Sequence, residues 1–203
     1  MIPDHWEAAT LQLGKRDKVL RKLIRQFPEP SLVSRGDAFQ TLARSIVGQQ
    51  ISVKAAQSIW GRFAALSGKV TPAKVAALAD ESLRGCGFSG QKVAYVKDLA
   101  ARFASGEIKP RRWSRMDDEA IIEELVRVKG IGRWTVEMFL IFHMKRPDVF
   151  PVDDLGLRRA MERQYNGGEA LTRAEMREIG APWAPYRSVA TWYLWRSLDT
   201  VAL

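Results

Sequence analysis

The chain has 203 residues and carries 32 Lys and Arg against 23 Asp and Glu, a formal net charge of +9. Hydrophobic residues make up 46% and charged residues 27%, a globular balance that excludes a disordered chain, and no apolar run reaches the roughly 18 residues needed to span a bilayer. A single cysteine, Cys86, and two histidines, His5 and His143, exclude a disulfide framework, a four-cysteine iron–sulfur cluster, a zinc knuckle and a His-rich metal centre. The opening MIPDHWEAAT has no basic region followed by an apolar core, so no secretory signal is expected. In a compact chain such an excess of positive charge points to a polyanion, a trait that nucleic-acid binders share with ribosome-associated and membrane-surface proteins.

Apolar residues recur at helical spacing along the chain. Phe39, Leu42, Ala43, Ile46 and Val47 form a first stripe, and Ala55, Ile59, Phe63 and Leu66 a second, with Ser52 placed to cap it. Thr71-Pro72 opens a short helix. Val93, Val96, Leu99, Ala100 and Phe103 make a third stripe, Ile121, Leu125 and Val128 a fourth, and Thr172 with Glu175 reads as a capping box. No period-two strand is evident, and Gly and Pro punctuate the connections. The expected fold class is all-α, about ten helices joined by short turns.

Between the fourth stripe and the next helix lies Lys129-Gly130-Ile131-Gly132-Arg133-Trp134-Thr135. Two glycines around one apolar residue permit positive φ and a tight reversal, with Ile131 plugged into the core. The amides near Gly130 and Gly132 then face outward at the start of a helix whose dipole favours anions, and Lys129 and Arg133 add charge on either side. A phosphate-gripping hairpin is expected there. Downstream, Lys145 to Arg159 contains Pro147, Pro151 and the pair Asp153-Asp154, where a helix should begin. One of the pair should serve as its N-cap. A carboxylate held in this partly apolar loop suits the stabilisation of positive charge developing on a sugar.

These segments resemble the helix–hairpin–helix (HhH-GPD) DNA glycosylase superfamily, and in particular its 3-methyladenine DNA glycosylase II branch. Leu42 to Ser52, Gly87 to Lys92 and Pro185-Tyr186-Arg187-Ser188 through Trp195 extend the resemblance over roughly residues 36 to 200. It implies two helical lobes with the active-site cleft between them: a central lobe, 36–148, with the hairpin motif at about 119–143, and a second lobe from 1–35 plus 149–203. It assigns catalysis to Asp154, helix capping to Asp153, the duplex wedge to Gln50 and a pocket-lining aromatic to Trp195; Trp134, Met138 and Trp192 are expected to complete the base pocket. Lys129, Gly130, Ile131, Gly132 and Arg133 form its phosphate-binding hairpin. Superfamily members that also cut the DNA backbone carry a nucleophilic lysine where this chain has Trp134, so lyase chemistry is not implied. No cofactor is required, although a monovalent cation (Na⁺ or K⁺) at hairpin backbone carbonyls fits the family. The implied partner is double-stranded DNA containing damaged bases, with no membrane association and a monomeric chain. The implied location is the cytoplasm, at the nucleoid in a bacterium, or the nucleus in a eukaryote.

Alkylation at a purine ring nitrogen makes the base cationic, and electron-rich indoles attract cations. Trp192 and Trp195, three residues apart on one helix, are therefore expected side by side in the pocket. The favoured activity is hydrolysis of the N-glycosidic bond of alkylated purines such as 3-methyladenine, leaving an abasic site. A glycosylase for uracil or mismatched bases, and a non-catalytic module that binds damaged DNA, stay open as alternatives.

Overall fold

Side-chain caps set where most of the helices begin. In the structure, a computed structural model that describes residues 3–29 and 37–199, α1 (Trp6–Arg16) and α2 (Lys18–Gln26) are divided by Asp17, whose Oδ1 accepts the Val19 and Leu20 amides at 2.8 and 2.9 Å. Asp37 opens α3 (Ala38–Gly48), Ser52 opens α4 (Val53–Ser67), and the short α5 (Pro72–Ala77) and α6 (Asp80–Gly85) lead to α7 (Gly90–Ala104), capped by Ser89. A 3₁₀ turn at Pro110–Arg115 precedes α8 (Asp118–Leu125), α9 (Arg133–Phe142) and α10 (Leu155–Tyr165). The reciprocal Thr172–Glu175 capping box starts α11 (Arg173–Gly180), and α12 (Arg187–Asp199) follows a 3₁₀ turn at Ala181–Trp183. The fold is all-α, with no strand among the described residues. Periodicity alone suggested about ten helices because segments such as α6, which buries only Leu83, are too short to show a stripe.

The chain divides into two compact units, Ser34–Phe139 and Met1–Val33 with Leu140–Leu203. In the first, α3 buries Phe39, Leu42, Ala43, Ile46 and Val47 and packs on α7, and an edge-to-face chain links Phe39, Phe103, Trp113 and Phe139. Leu66, expected in the α4 stripe, stays exposed because the buried row of that helix runs through Trp60, Phe63 and Ser67. The second unit is centred on Trp6, Leu13, Leu20, Leu157, Met161, Trp183 and Tyr193. Asp17 is its polar hub: besides capping α2, its Oδ2 accepts the Tyr165 hydroxyl and the Trp183 indole N–H, both at 2.9 Å. Burial first, and then the Asp17 charge, push the Tyr165 phenol well above its ordinary range.

The lobe boundary expected at residues 35 and 36 lies outside the described residues. The one expected at 148/149 falls instead inside α9, between Phe139 and Leu140. Side-chain and backbone partners explain the shift. Phe142 stacks on Trp195, the Leu140 carbonyl accepts the Arg146 amide, and Asp148 accepts two guanidinium bonds from Arg187 at 2.8 and 2.7 Å. The segment after Phe139 is thereby tied to α12.

Candidate active site

Asp154 stands at the N-terminus of α10 and is 9% exposed. Its Oδ1 accepts the Leu157 amide at 2.6 Å and the Trp195 indole N–H at 2.7 Å. Two donors on one oxygen fix the plane of the carboxylate, and the helix N-terminus favours its negative charge. Gly156 permits the approach of the indole: a Cβ there would lie 3.2 Å from Asp154 Oδ1 and 3.3 Å from the Trp195 ring. The preceding loop is held by the Arg187–Asp148 pair and by the Ser188 hydroxyl, which accepts the Val149 amide at 2.8 Å.

The assignment of capping to Asp153 is thus corrected, because the extended backbone that places a side chain over the first turn belongs to Asp154. Asp153 is exposed and pairs with Arg173 at 2.5 Å. Trp192 is also corrected. It is 6% exposed and packed edge-on against Trp6 and Tyr193, in the core of the second unit. Trp195 faces Phe142, with ring planes 14° apart, and Asp154. Three residues on a helix are about 300° of rotation, enough here to put one indole in the core and the other on the carboxylate.

In the other unit the hairpin folds as a reversal between α8 and α9. Ile131 is 4% exposed and plugs the core as expected, while Lys129 is exposed. Only Gly130 has positive φ, +78°, and a Cβ on it would lie 2.0 Å from Tyr95 Cδ2. The Gly132 position has open space around it, so its value is the approach it leaves to the backbone rather than the turn. Asp98 accepts the Lys129 amide at 2.9 Å. Among the described residues, the Gly130 and Gly132 amides have no intramolecular acceptor.

Arg133 departs from its expected role. Its guanidinium pairs with both oxygens of Glu119 at 2.7 Å and with Glu137 at 3.2 Å. The hydrogen bond that Arg133 donates to Glu119 first, and the Glu119 charge, raise the arginine pKa further still, while the same bond lowers that of Glu119. The positive charge that the sequence offered to a phosphate is offset within the protein by Glu119 and Glu137, although Arg133, like Lys129, stays exposed.

The turn Gln49–Ser52 between α3 and α4 borders the same region. Gln50 is exposed with φ +58°, a conformation that non-glycine residues rarely adopt. A cavity of about 890 Å³ is lined by this turn, by Lys92 and Tyr95 of α7, by Gly130, and by Trp134 and Met138 of α9. Trp134 is 50% exposed. Gln49, Lys92, Tyr95 and Asp98 had no role assigned from the sequence, although Gln49 and Lys92 lie within segments that carried the family resemblance.

Comparison with known proteins gives one answer. Residues 43–185 match the family described as HhH-GPD superfamily base excision DNA repair protein. DNA-3-methyladenine glycosylase 1 of Schizosaccharomyces pombe is 35% identical over 189 residues, which cover 91% of this chain and 83% of that protein. The crystal structure of DNA-3-methyladenine glycosidase from Bacillus halodurans superposes with a TM-score of 0.89 at 35% identity, covering 96% of this chain and 90% of that one. The Schizosaccharomyces pombe 3-methyladenine DNA glycosylase in complex with abasic DNA gives 0.81 at 33% identity, covering 95% and 97%. The chain belongs to the HhH-GPD superfamily of base excision DNA repair proteins.

Proposed function

We propose that this chain is a monofunctional DNA glycosylase that hydrolyses the N-glycosidic bond of alkylated purines such as 3-methyladenine in duplex DNA, releasing the free base and leaving an abasic site. The observation that carries the reading is the Asp154 carboxylate, oriented by the Leu157 amide and the Trp195 indole in a chain of this family. Extruding the damaged nucleotide costs a few kcal/mol, less where pairing is already weakened. Asp154 then stabilises the oxocarbenium-like sugar as the cationic base departs and orients the attacking water, whose proton is released as the C1′–OH forms. Lys129 and the Gly130 and Gly132 amides hold phosphates, and Gln50 fills the stack that the base has left. The exposed indole of Trp134 offers an electron-rich face to a cationic base. The chain acts as a monomer.

No step needs a metal or redox group. Among the described residues, no three His, Cys, Asp or Glu side chains cluster as metal ligands. At the hairpin, the Val128 and Gly130 carbonyls already accept the Ile131 amide and the Gln49 side chain. Each keeps a second lone pair with which it would hold a monovalent cation. None of the described helices is long and apolar enough to cross a membrane.

The test is base release from methylated duplex DNA, with the free bases separated by chromatography. Release of 3-methyladenine well above the spontaneous rate is expected, and no release of uracil from a uracil-containing duplex. Uracil release without 3-methyladenine would transfer the assignment to another lesion, and binding without any release would make the chain a damage-binding module.

The product strand is expected to stay uncut. A lyase needs an amine beside the sugar carbon to form an imine, and the matching position here holds the indole of Trp134. Borohydride should trap no protein–DNA adduct above background, and strand cleavage should appear only after heating in alkali. An adduct forming as fast as base release would refute the monofunctional reading, and peptide mapping would identify the lysine responsible.

A further inference from the structure

The turn that carries Gln50 is held from two directions by side chains with no assigned role. Lys92, in the first turn of α7, donates from Nζ to the Val47 carbonyl at 2.8 Å and to the Gln49 carbonyl at 2.7 Å. Those oxygens flank the end of α3, where an ammonium also complements the helix dipole. Gln49 reaches the other way, its Nε2 donating to the Gly130 carbonyl at 2.7 Å. Further along α7, Tyr95 packs on Gly130 and Asp98 accepts the Lys129 amide. Residues 92, 95 and 98, at three-residue spacing, thus bind the Gln50 turn and the hairpin to one helix.

The turn itself accounts for so much bracing. Gln50 sits at φ +58° with its side chain exposed. A left-handed non-glycine residue is retained only where its surroundings over-determine it. The contacts that do so here grip Gln49, Val47 and Gly130 and leave the Gln50 side chain outside the brace.

We propose that Lys92 and Gln49 are positioning residues that hold Gln50 projecting in register with the phosphate-gripping hairpin, so that it enters the duplex as the base leaves. This rests on the reading of Gln50 as the residue that fills the vacated stack. Partial burial lowers the Lys92 pKa, the cost of drawing its ammonium from solvent to the Val47 and Gln49 carbonyls. A lysine that merely caps α3 would stabilise the fold equally for every substrate. A lysine that works through Gln50 matters only where Gln50 does.

The experiment is a double-mutant cycle on Lys92→Met and Gln50→Ala. Affinity is measured for a duplex bearing a tetrahydrofuran abasic analogue and for the same strand alone. A 2-aminopurine opposite the analogue reports filling of the gap. Lys92→Met is expected to weaken duplex binding by about tenfold, the scale of losing hydrogen bonds to a charged donor, with little change on the single strand. The 2-aminopurine signal should move as in Gln50→Ala. The double variant should match Gln50→Ala within about twofold, because the brace has nothing left to position. Gln49→Met cuts only the tether to Gly130 and is carried through the same cycle, so that a Lys92→Met failing to fold by thermal melting still leaves a decisive variant. Multiplicative losses in the double variant, or equal losses on duplex and single strand, would overturn the proposal. If Gln50→Ala binds the abasic duplex as the unmodified protein does, the wedge reading falls and the brace with it. If Gln50→Ala is impaired while Lys92→Met and Gln49→Met are not, the brace alone falls.

Discussion

Asp154→Asn is expected to lower the single-turnover rate of base release by about a hundredfold to a thousandfold or more, while leaving the melting temperature and binding to an abasic-analogue duplex nearly unchanged. The asymmetry follows from what the residue touches. Its Oδ1 accepts the Leu157 amide and the Trp195 indole, and an asparagine oxygen can accept both, since Asn caps helices as well as Asp does. What the substitution removes is the anion that, in the proposed mechanism, faces a sugar acquiring positive charge. Asp153→Asn is the matched control. That side chain is exposed and loses only its pairing with Arg173, an interaction of the surface kind whose worth is about 0–1 kcal/mol. Its rate should stay close to that of the unmodified enzyme. Comparable losses in the two variants, or a reversed order, would show that the catalytic carboxylate had been misassigned within the pair.

Gly130→Ala should cost about 2–5 kcal/mol of stability, lowering Tm by roughly 5–15 °C, and should abolish DNA binding with it. Two penalties coincide at this residue. Its φ of +78° is one that a side chain resists, and a Cβ would fall 2.0 Å from the Tyr95 ring. Neither applies at Gly132, whose Cβ would meet open space. Gly132→Ala should therefore melt like the unmodified protein yet bind duplex DNA several-fold more weakly, whatever the sequence or lesion, because the methyl group holds a phosphate away from the amides. A Gly132→Ala protein that binds all DNA normally but loses activity on one lesion would contradict a phosphate-gripping role. Affinity in both proteins should fall steeply with added salt.

The helices and their caps were legible in the sequence because they depend on near neighbours. A stripe such as Phe39, Leu42, Ala43, Ile46 and Val47 marks a buried face wherever that face ends up, and Thr172 and Glu175 close their box within one turn. The Ile131 plug and the break at Gly130 were legible for the same reason. Asp154 could be named, through the family pattern, before its surroundings were known.

Partnership across long stretches of chain was not legible. Arg133 read as a cation for DNA until Glu119, fourteen residues earlier, proved to hold both of its terminal nitrogens. Trp192 and Trp195 read as one aromatic wall, but Trp6 claims the first for the core and Asp154 the second. Which aspartate caps α10 turned on backbone angles that two adjacent identical residues cannot reveal. Lys92 had no role of its own in the sequence until α7 brought it to the carbonyls of Val47 and Gln49. Local geometry is written in spacing and in the chemistry of single turns, so the sequence alone determined the helices, the hairpin and the family. A charge or an indole takes its role from whichever distant group reaches it first, and only the packed chain decided that.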